Sequence, residues 1–246
     1  MTLRYLLRNN KMFNGKTKAL TFSFDDGPIT DARLVENLNK YGLRATFNLN
    51  SETLGKSMHN GQPMKSPTVK PSDVKFIYEG HEVASHTLTH PNLTRVADEK
   101  EIVRQVEQDR LNLSELIEYE VIGFAYPGGG VNHDDRTAEI IRKNTGIKYC
   151  RTNASSYSFD IQTDLYKFNP TVYHRAEFDK MIELGNKFLK AKSEDPRVFY
   201  IWGHSYEFDI DDNWRKFEEF CSMMSGREDI FYGTNREVLL KADYEV

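Results

Sequence analysis

Leu20, Phe22 and Phe24 alternate with Thr21 and Ser23, the period-two pattern of a strand with one apolar face. Leu34, Val35, Leu38 and Tyr41 then recur at helical spacing until Gly42 stops the segment, and the run over 45–49 predicts a second buried strand. The cycle repeats. Ile102, Val103, Val106, Leu113, Leu116 and Ile117 line one stripe of a long helix, and a strand over 121–125 follows it. A helix near 135–144, a strand around Tyr149 and a helix from about 177 to 190 come next. The run Val198-Phe199-Tyr200-Ile201-Trp202 has no charged position, as in a parallel strand covered on both faces, and it ends in Gly203-His204. Trp214, Phe217 and Cys221 mark a further amphipathic helix, and Thr234 with Glu237 forms a capping box for the last one. Strand-helix alternation over the whole length predicts an α/β chain, either a barrel or a doubly wound sheet, within one domain over 1–246. The stretch at about 51–72, rich in Ser, Pro, Gly, Lys and Met, has no clear period and reads as an inserted loop or hairpin near the site.

Composition narrows the partners. Hydrophobic residues at 39%, charged residues at 28% and a mean hydropathy of -0.64 give a sizeable core without a membrane span. Lys and Arg number 33 against 37 Asp and Glu, a net charge of -4, which argues against nucleic acid and anionic lipid. Cys150 and Cys221 lie far apart, so neither a disulfide framework nor a thiolate metal site is read from them. The first twenty residues lack a continuous apolar stretch and a small-residue cleavage site, so the chain as written is expected in the cytoplasm. A chain trimmed of a leader or anchor would read identically and would be secreted or surface-attached.

Thr21-Phe22-Ser23-Phe24-Asp25-Asp26-Gly27-Pro28 places two adjacent carboxylates at the end of an apolar strand, where α/β barrels keep their active sites. Neighbouring residues on an extended chain point in different directions, so one carboxylate can bind a metal while the other faces a reacting water. A turn without catalysis is the plain alternative. In Gly80-His81-Glu82-Val83-Ala84-Ser85-His86-Thr87-Leu88-Thr89-His90-Pro91, His86 and His90 stand at i, i+4, which on a helical turn puts both imidazoles on one face. With Asp26 they make a two-His, one-carboxylate set with open positions. Phe124-Ala125-Tyr126-Pro127-Gly128-Gly129-Gly130 ends another strand in a loop whose N–H groups can cradle an oxyanion, or simply turn. His204 ends a strand and can donate a proton to a leaving group. His133-Asp134 resembles the pair of helical phosphohydrolases, but the alternation here points to a solvated loop pair. His59, His81 and His174 lack acidic or metal-like company in the sequence.

These segments occur in the order found in polysaccharide deacetylases, and the chain resembles the NodB-homology domain of carbohydrate esterase family four from about Lys18 to the last helix. The resemblance implies a distorted (β/α) barrel of seven or eight strands. It implies that Asp25 is the general base, that Asp26, His86 and His90 bind a divalent metal, usually zinc, and that His204 is the general acid. It also implies that the backbone N–H of Tyr126 helps hold the tetrahedral oxyanion, with Pro127 and Gly128 beside it. Two places depart from the family pattern. The third motif carries Ala125 where many members have an arginine, and Arg151 on the next strand is the candidate replacement. No Asp-x-Trp appears near Phe168-Asn169-Pro170-Thr171, so Asp160, Asp164 or Glu207 is left to orient His204.

The expectation is a metal-dependent hydrolase that removes N-acetyl groups from amino sugars of a glycan or oligosaccharide, releasing acetate. Two alternatives stand beside it: the same centre acting on another small amide or ester, and a barrel that binds carbohydrate without turning it over.

Overall fold

The computed structural model describes residues 12–59, 62–192 and 194–240, so the opening segment up to residue 11 lies outside the described residues. Strand β1 (Lys18–Asp25) leads to a helix at Asp31–Lys40, and β2 (Ala45–Leu49) leads to a hairpin of β3 (Met58–His59) and β4 (Gln62–Pro63). After a short helix at Val74–Ile77 comes β5 (Glu82–Ser85). A continuous helix follows, α-helical at Glu99–Val103, π-helical at Arg104–Gln108 and α-helical again at Asp109–Ile117. Strand β6 (Gly123–Ala125), a helix at Asp135–Asn144, β7 (Tyr149–Arg151), β8 (Val172–Tyr173) and a helix at Phe178–Lys190 continue the alternation. It ends with β9 (Arg197–Gly203), helices at Tyr206–Ile210 and Trp214–Met224, β10 (Ile230–Tyr232) and a helix at Asn235–Leu239.

All pairings in the main sheet are parallel, in the order β7-β6-β5-β2-β1-β9-β8. The two ends of that order meet. Arg151 of β7 bridges Phe168, whose N–H donates to the Cys150 carbonyl a few residues before β8 begins. This closure makes the architecture a distorted barrel and excludes the open doubly wound sheet. β10 pairs with β1 over Lys18–Leu20, on the edge that β2 takes over from Phe22 onward.

Most of the periodic segments form as the apolar pattern predicts, including the Thr234–Glu237 capping box. β6 starts at Gly123 rather than residue 121. β5, β8 and β10 had no apolar run to announce them, being only four, two and three residues long. The segment over 51–72 does contain a hairpin, and it is laced to the turn after β1. The Val69 N–H donates to the Gly27 carbonyl at 2.9 Å and the Ile29 N–H to the Pro67 carbonyl at 2.9 Å. Among the described residues no helix is long and apolar enough to cross a membrane.

β1 is buried along its entire length, yet it alternates apolar and polar residues. The reason is that its two faces meet different surroundings. Leu20, Phe22 and Phe24 pack outward against the helices, in one cluster with Leu34, Leu38, Phe217 and Phe220. Ala19, Thr21, Ser23 and Asp25 face the lumen, which is filled in layers. At the base Ala19, Val198 and Tyr200 pack with Val238 and Leu239. Above them Thr21 donates to Asn235 at 2.9 Å, and the buried Glu82 accepts from Thr46 at 2.8 Å and Tyr149 at 3.0 Å. Nearest the top lie Asn48, Asp25 and Arg151. A polar lumen is tolerable because each of these side chains makes at least one such bond, since an unpaired group costs about 1–3 kcal/mol. Among the described residues, however, Asn48 Oδ1 and Arg151 Nε and Nη1 have no hydrogen-bond partner.

Phe217 closes the helix-side layer, its ring centroid 4.4 Å from Phe208 and 6.1 Å from Phe22. Replacing it with alanine leaves a cavity and is expected to cost about 3–5 kcal/mol. Urea unfolding of Phe217→Ala should show a lower midpoint with the slope retained.

Candidate active site

The end of β1 separates the two carboxylates. Asp26 and Gly27 take positive φ angles of 74° and 62°, so the chain turns sharply after Asp25. The Asp25 side chain stays inside at 3% exposure, while that of Asp26, at 26%, faces the cavity above the barrel. The two histidines arrive differently from the sequence expectation. His86 follows β5 in a loop rather than a helical turn, and Thr87 and His90 adopt φ of 71° and 61°. These left-handed residues fold the loop back, so that it delivers the convergence assigned to a helix. Asp26 Oδ1 lies 3.7 Å from His86 Nε2 and 3.5 Å from His90 Nε2.

The donor set fits a divalent ion. One oxygen or nitrogen from each of Asp26, His86 and His90 lies within 4.8 Å of the others, a spacing that one ion with bonds of about 2.0–2.2 Å can span. His86 Nδ1 sits 2.7 Å from the Ala125 carbonyl, which can only accept, so Nδ1 carries the proton and Nε2 keeps its lone pair. Burial, aided by His90, lowers the His86 pKa to about 4 despite the pull of Asp25 and Asp26. The ring is therefore neutral at pH 7, as a ligand must be.

Asp25 accepts a hydrogen bond from Arg151 Nη2 at 2.6 Å and one from Asn48 Nδ2 at 2.8 Å. Burial pushes its pKa up, but Arg151, His86 and His204 together hold it below the ordinary value. Since β1 and β7 are not neighbours in the sheet, the Arg151 bond crosses the lumen. The guanidinium lies 4.6 Å over the Trp202 ring, which in turn stacks on Tyr173 at 4.4 Å. Arg151 thus reaches Asp25 from one strand beyond Ala125.

His204 Nε2 is 3.7 Å from Asp26 Oδ2, and its Nδ1 is 3.1 Å from Glu207 Oε1, an ion-pair contact rather than an aligned hydrogen bond. Burial opposes protonation of His204, yet Glu207 and Asp26 outweigh it and raise the pKa to about 9. Glu207 is the carboxylate beside His204. Asp160 pairs with Arg197 and Asp164 with Arg142 and Lys167, so both are spent elsewhere. Glu207 also receives the Tyr173 hydroxyl and lies 3.3 Å from His174 Nε2, giving His174 an acidic neighbour its own segment did not reveal.

The third segment requires a correction. The Tyr126 N–H donates to the Arg151 carbonyl at 3.0 Å as part of the β6–β7 pairing, so it is not available to an oxyanion. Pro127 has no N–H. Gly128, at φ 93°, lines the cavity and is the member of that trio left to donate. His81 accepts from the Ala45 N–H and contacts Asn39, while Asp134 caps the helix at Asp135–Asn144 beside His133. The side chain of His59 lies outside the described residues. Cys150 and Cys221 are buried and unpaired with each other.

A cavity of about 540 Å³ opens over these groups. Tyr173, Trp202 and Tyr206 form an aromatic wall, and Met64 and Lys65 come from the 51–72 insertion. Asn48, Trp202 and Tyr173 carried no sequence signal of a site role. Their positions depend on strand register and on β8, which periodicity did not show.

The family model described as polysaccharide deacetylase matches residues 13–150. The chain belongs to the polysaccharide deacetylase family. The peptidoglycan-N-acetylmuramic acid deacetylase PdaC of Bacillus subtilis (strain 168) is 28% identical over 124 residues, 50% of this chain and 24% of PdaC. The chain thus spans about a quarter of that relative's length. Among solved structures, a Mycobacterium smegmatis protein assigned to the polysaccharide deacetylases aligns with a TM-score of 0.62 and 17% identity over 92% of this chain and 90% of its own. A mutant of BA3943 from Bacillus anthracis, a pseudoenzyme of carbohydrate esterase family four with restored activity, aligns with a TM-score of 0.55 and 18% identity, covering 91% and 68%. Both likenesses bear out the barrel.

Asp31 ties the site together from below. Ser205, next to His204, donates to its Oδ1 at 2.5 Å and Tyr78 to its Oδ2 at 2.7 Å. Burial, opposed by these hydrogen bonds and reinforced by Asp26, raises its pKa from 3.8 to about 7. A raised acid stabilises the fold below its unfolded pKa and loses that contribution as pH climbs through the folded value. Asp31→Asn, neutral throughout, escapes the loss. Its melting temperature relative to the parent chain should therefore rise between about pH 4 and about pH 8, as thermal denaturation across that range would show.

Proposed function

We propose that this chain is a metal-dependent deacetylase domain that hydrolyses N-acetyl groups of amino sugars in a polysaccharide or oligosaccharide. The convergence of Asp26, His86 and His90 beside an ionised Asp25 carries the reading. The aromatic wall suits a sugar face, and PdaC, by its name, acts on an N-acetylated amino sugar of peptidoglycan.

Asp26, His86 and His90 would hold the ion, for which zinc suits the nitrogen-rich donor set. Bound there, such an ion polarises a carbonyl and lowers the pKa of water from about 15.7 toward about 7. The residues divide the remaining work. Asp25, held ionised by Arg151, takes a proton from the attacking water. The Gly128 N–H stabilises the charge that develops on the acetyl oxygen. His204 starts as a cation beside Glu207 and gives its proton to the sugar nitrogen as the C–N bond breaks, so acetate and a free amine result. Arg151 acts through Asp25 as a positioning residue.

The likeness to the Bacillus anthracis pseudoenzyme, together with Ala125 in the third motif, favours one second reading, a barrel that binds carbohydrate without turnover. Against it stands a complete set of metal donors, base and acid. Acetate release from acetylated chito-oligosaccharides, run with elemental analysis, separates the two. Bound metal with no acetate from these or from a panel of small amides and esters would support the silent barrel, and turnover of the small substrates alone would redirect the substrate.

Asp25→Asn should lower kcat by about 100-fold to 10,000-fold with metal content unchanged, whereas His86→Ala should lose the metal. Full activity in Asp25→Asn would remove Asp25 from the role of base. Arg151→Ala should reduce kcat and shift the acid limb of its pH profile upward, because Asp25 loses the charge that keeps it ionised. An unmoved profile would show that Arg151 does not serve the base.

A further inference from the structure

The loop that carries His86 and His90 is strained, since Thr87 and His90 are non-glycine residues at φ 71° and 61°. Such conformations cost about 1–3 kcal/mol each and persist only where surrounding contacts over-determine them. One short part of one helix supplies several of the external holds on this loop. The Asp109 carboxylate accepts from Ser85 Oγ at 2.6 Å and from the His86 N–H at 3.1 Å through Oδ2, and from the Ser51 N–H at 2.7 Å through Oδ1. The Gln105 backbone carbonyl accepts the Leu88 N–H at 3.0 Å, and its side-chain oxygen accepts the Thr89 N–H at 3.2 Å. From the other side the Leu49 carbonyl accepts the His86 N–H at 2.8 Å, Asn50 donates to the His86 carbonyl and to the Thr87 carbonyl at 2.8 Å, and the Glu52 N–H donates to the Leu88 carbonyl at 3.2 Å.

Gln105 lies within the π-helical segment Arg104–Gln108, and Asp109 follows it directly. A π turn holds one more residue per hydrogen-bonded ring than an α turn, so it can turn a carbonyl away from the helix ladder. Here that carbonyl meets the loop. Both side chains are buried, at 4% and 0% exposure.

We propose that the π turn is a built-in template for the metal loop, with Gln105 and Asp109 as positioning residues that hold His86 and His90 in ligating geometry. Neither residue belongs to the ligand set: Asp109 acts through the backbone N–H of His86, and Gln105 through those of Leu88 and Thr89, between the two ligands. This inference rests on the metal-dependent reading above. Groups that orient metal ligands typically govern affinity by about 10-fold to 100-fold.

The test measures Zn2+ affinity by competition with a chromophoric chelator, together with melting temperatures of the metal-free and metal-loaded protein. Asp109→Asn keeps size but turns one hydrogen-bond acceptor into a donor facing N–H or O–H groups, and it should weaken Zn2+ binding about 100-fold. Gln105→Met keeps the backbone carbonyl and removes the side-chain amide, and it should weaken binding about 10-fold. In each, the rise in melting temperature on adding Zn2+ should shrink. A merely structural role would instead lower both melting temperatures equally and leave the affinity alone. If Asp109→Asn does not fold, Gln105→Met decides. Unchanged Zn2+ affinity in the folded variants, with tight binding by the parent chain, would overturn the template while leaving the metal-dependent reading intact. A parent chain that takes up no Zn2+ would remove both.

Discussion

The contact on which the site depends is the ion pair between Asp25 and Arg151, made across the lumen of the barrel. Both partners are almost completely enclosed. An isolated carboxylate at that depth would bind a proton rather than stay charged. Paired with a guanidinium and with Asn48, it remains an anion at neutral pH with only its edge open to the cavity. Desolvation by the barrel and neutralisation by Arg151 therefore work as one device, and removing one member of such a buried pair typically costs about 3–5 kcal/mol. The layered polar lumen below belongs to the same arrangement, because it gives the inward positions of the parallel strands partners that an oily core would lack.

Much of this was legible in the chain. The alternation of Leu20, Phe22 and Phe24 with polar residues marked β1, and five side chains that assemble at the site, Asp25, Asp26, His86, His90 and His204, stood out as motifs. Barrel closure was not legible, because it runs through a single bridge at Phe168 and a two-residue strand, too short for any period to register. The loop geometry at His86 was misread for a related reason. An i, i+4 spacing announces a helix only if the backbone is right-handed, and left-handed angles at Thr87 and His90 achieve the same convergence by another route. Tyr126 failed as a donor because strand pairing, which lies between segments and not within one, had already claimed its N–H.

The departures from the family motifs share a pattern. Ala125 leaves the arginine position of the third motif vacant, and Arg151 on the adjacent strand supplies the guanidinium. Near Phe168 no Asp-x-Trp appears, yet Glu207 and Trp202 stand beside His204 and Arg151. Around Asp25 and His204 the structure places a guanidinium, a carboxylate and an indole ring that come from chain positions outside those motifs. Motif-by-motif reading therefore misses side chains that reach the same place from elsewhere in the chain.

The seam at Arg151 and Phe168 has a mechanical corollary. β1 and β9, which bear Asp25 and His204, are bound along seven matched residue pairs from Lys18 to Phe24. On its open edge, the backbone of the wall carrying Arg151 meets the segment before β8 at Phe168 through an isolated bridge rather than a paired strand. Breathing of the ring would concentrate at that weak join, leaving the spacing of Asp25 and His204 fixed while loosening the guanidinium's grip. Flexibility in this barrel would thus reach the pairing of Arg151 with Asp25 before it disturbed the alignment of Asp25 and His204.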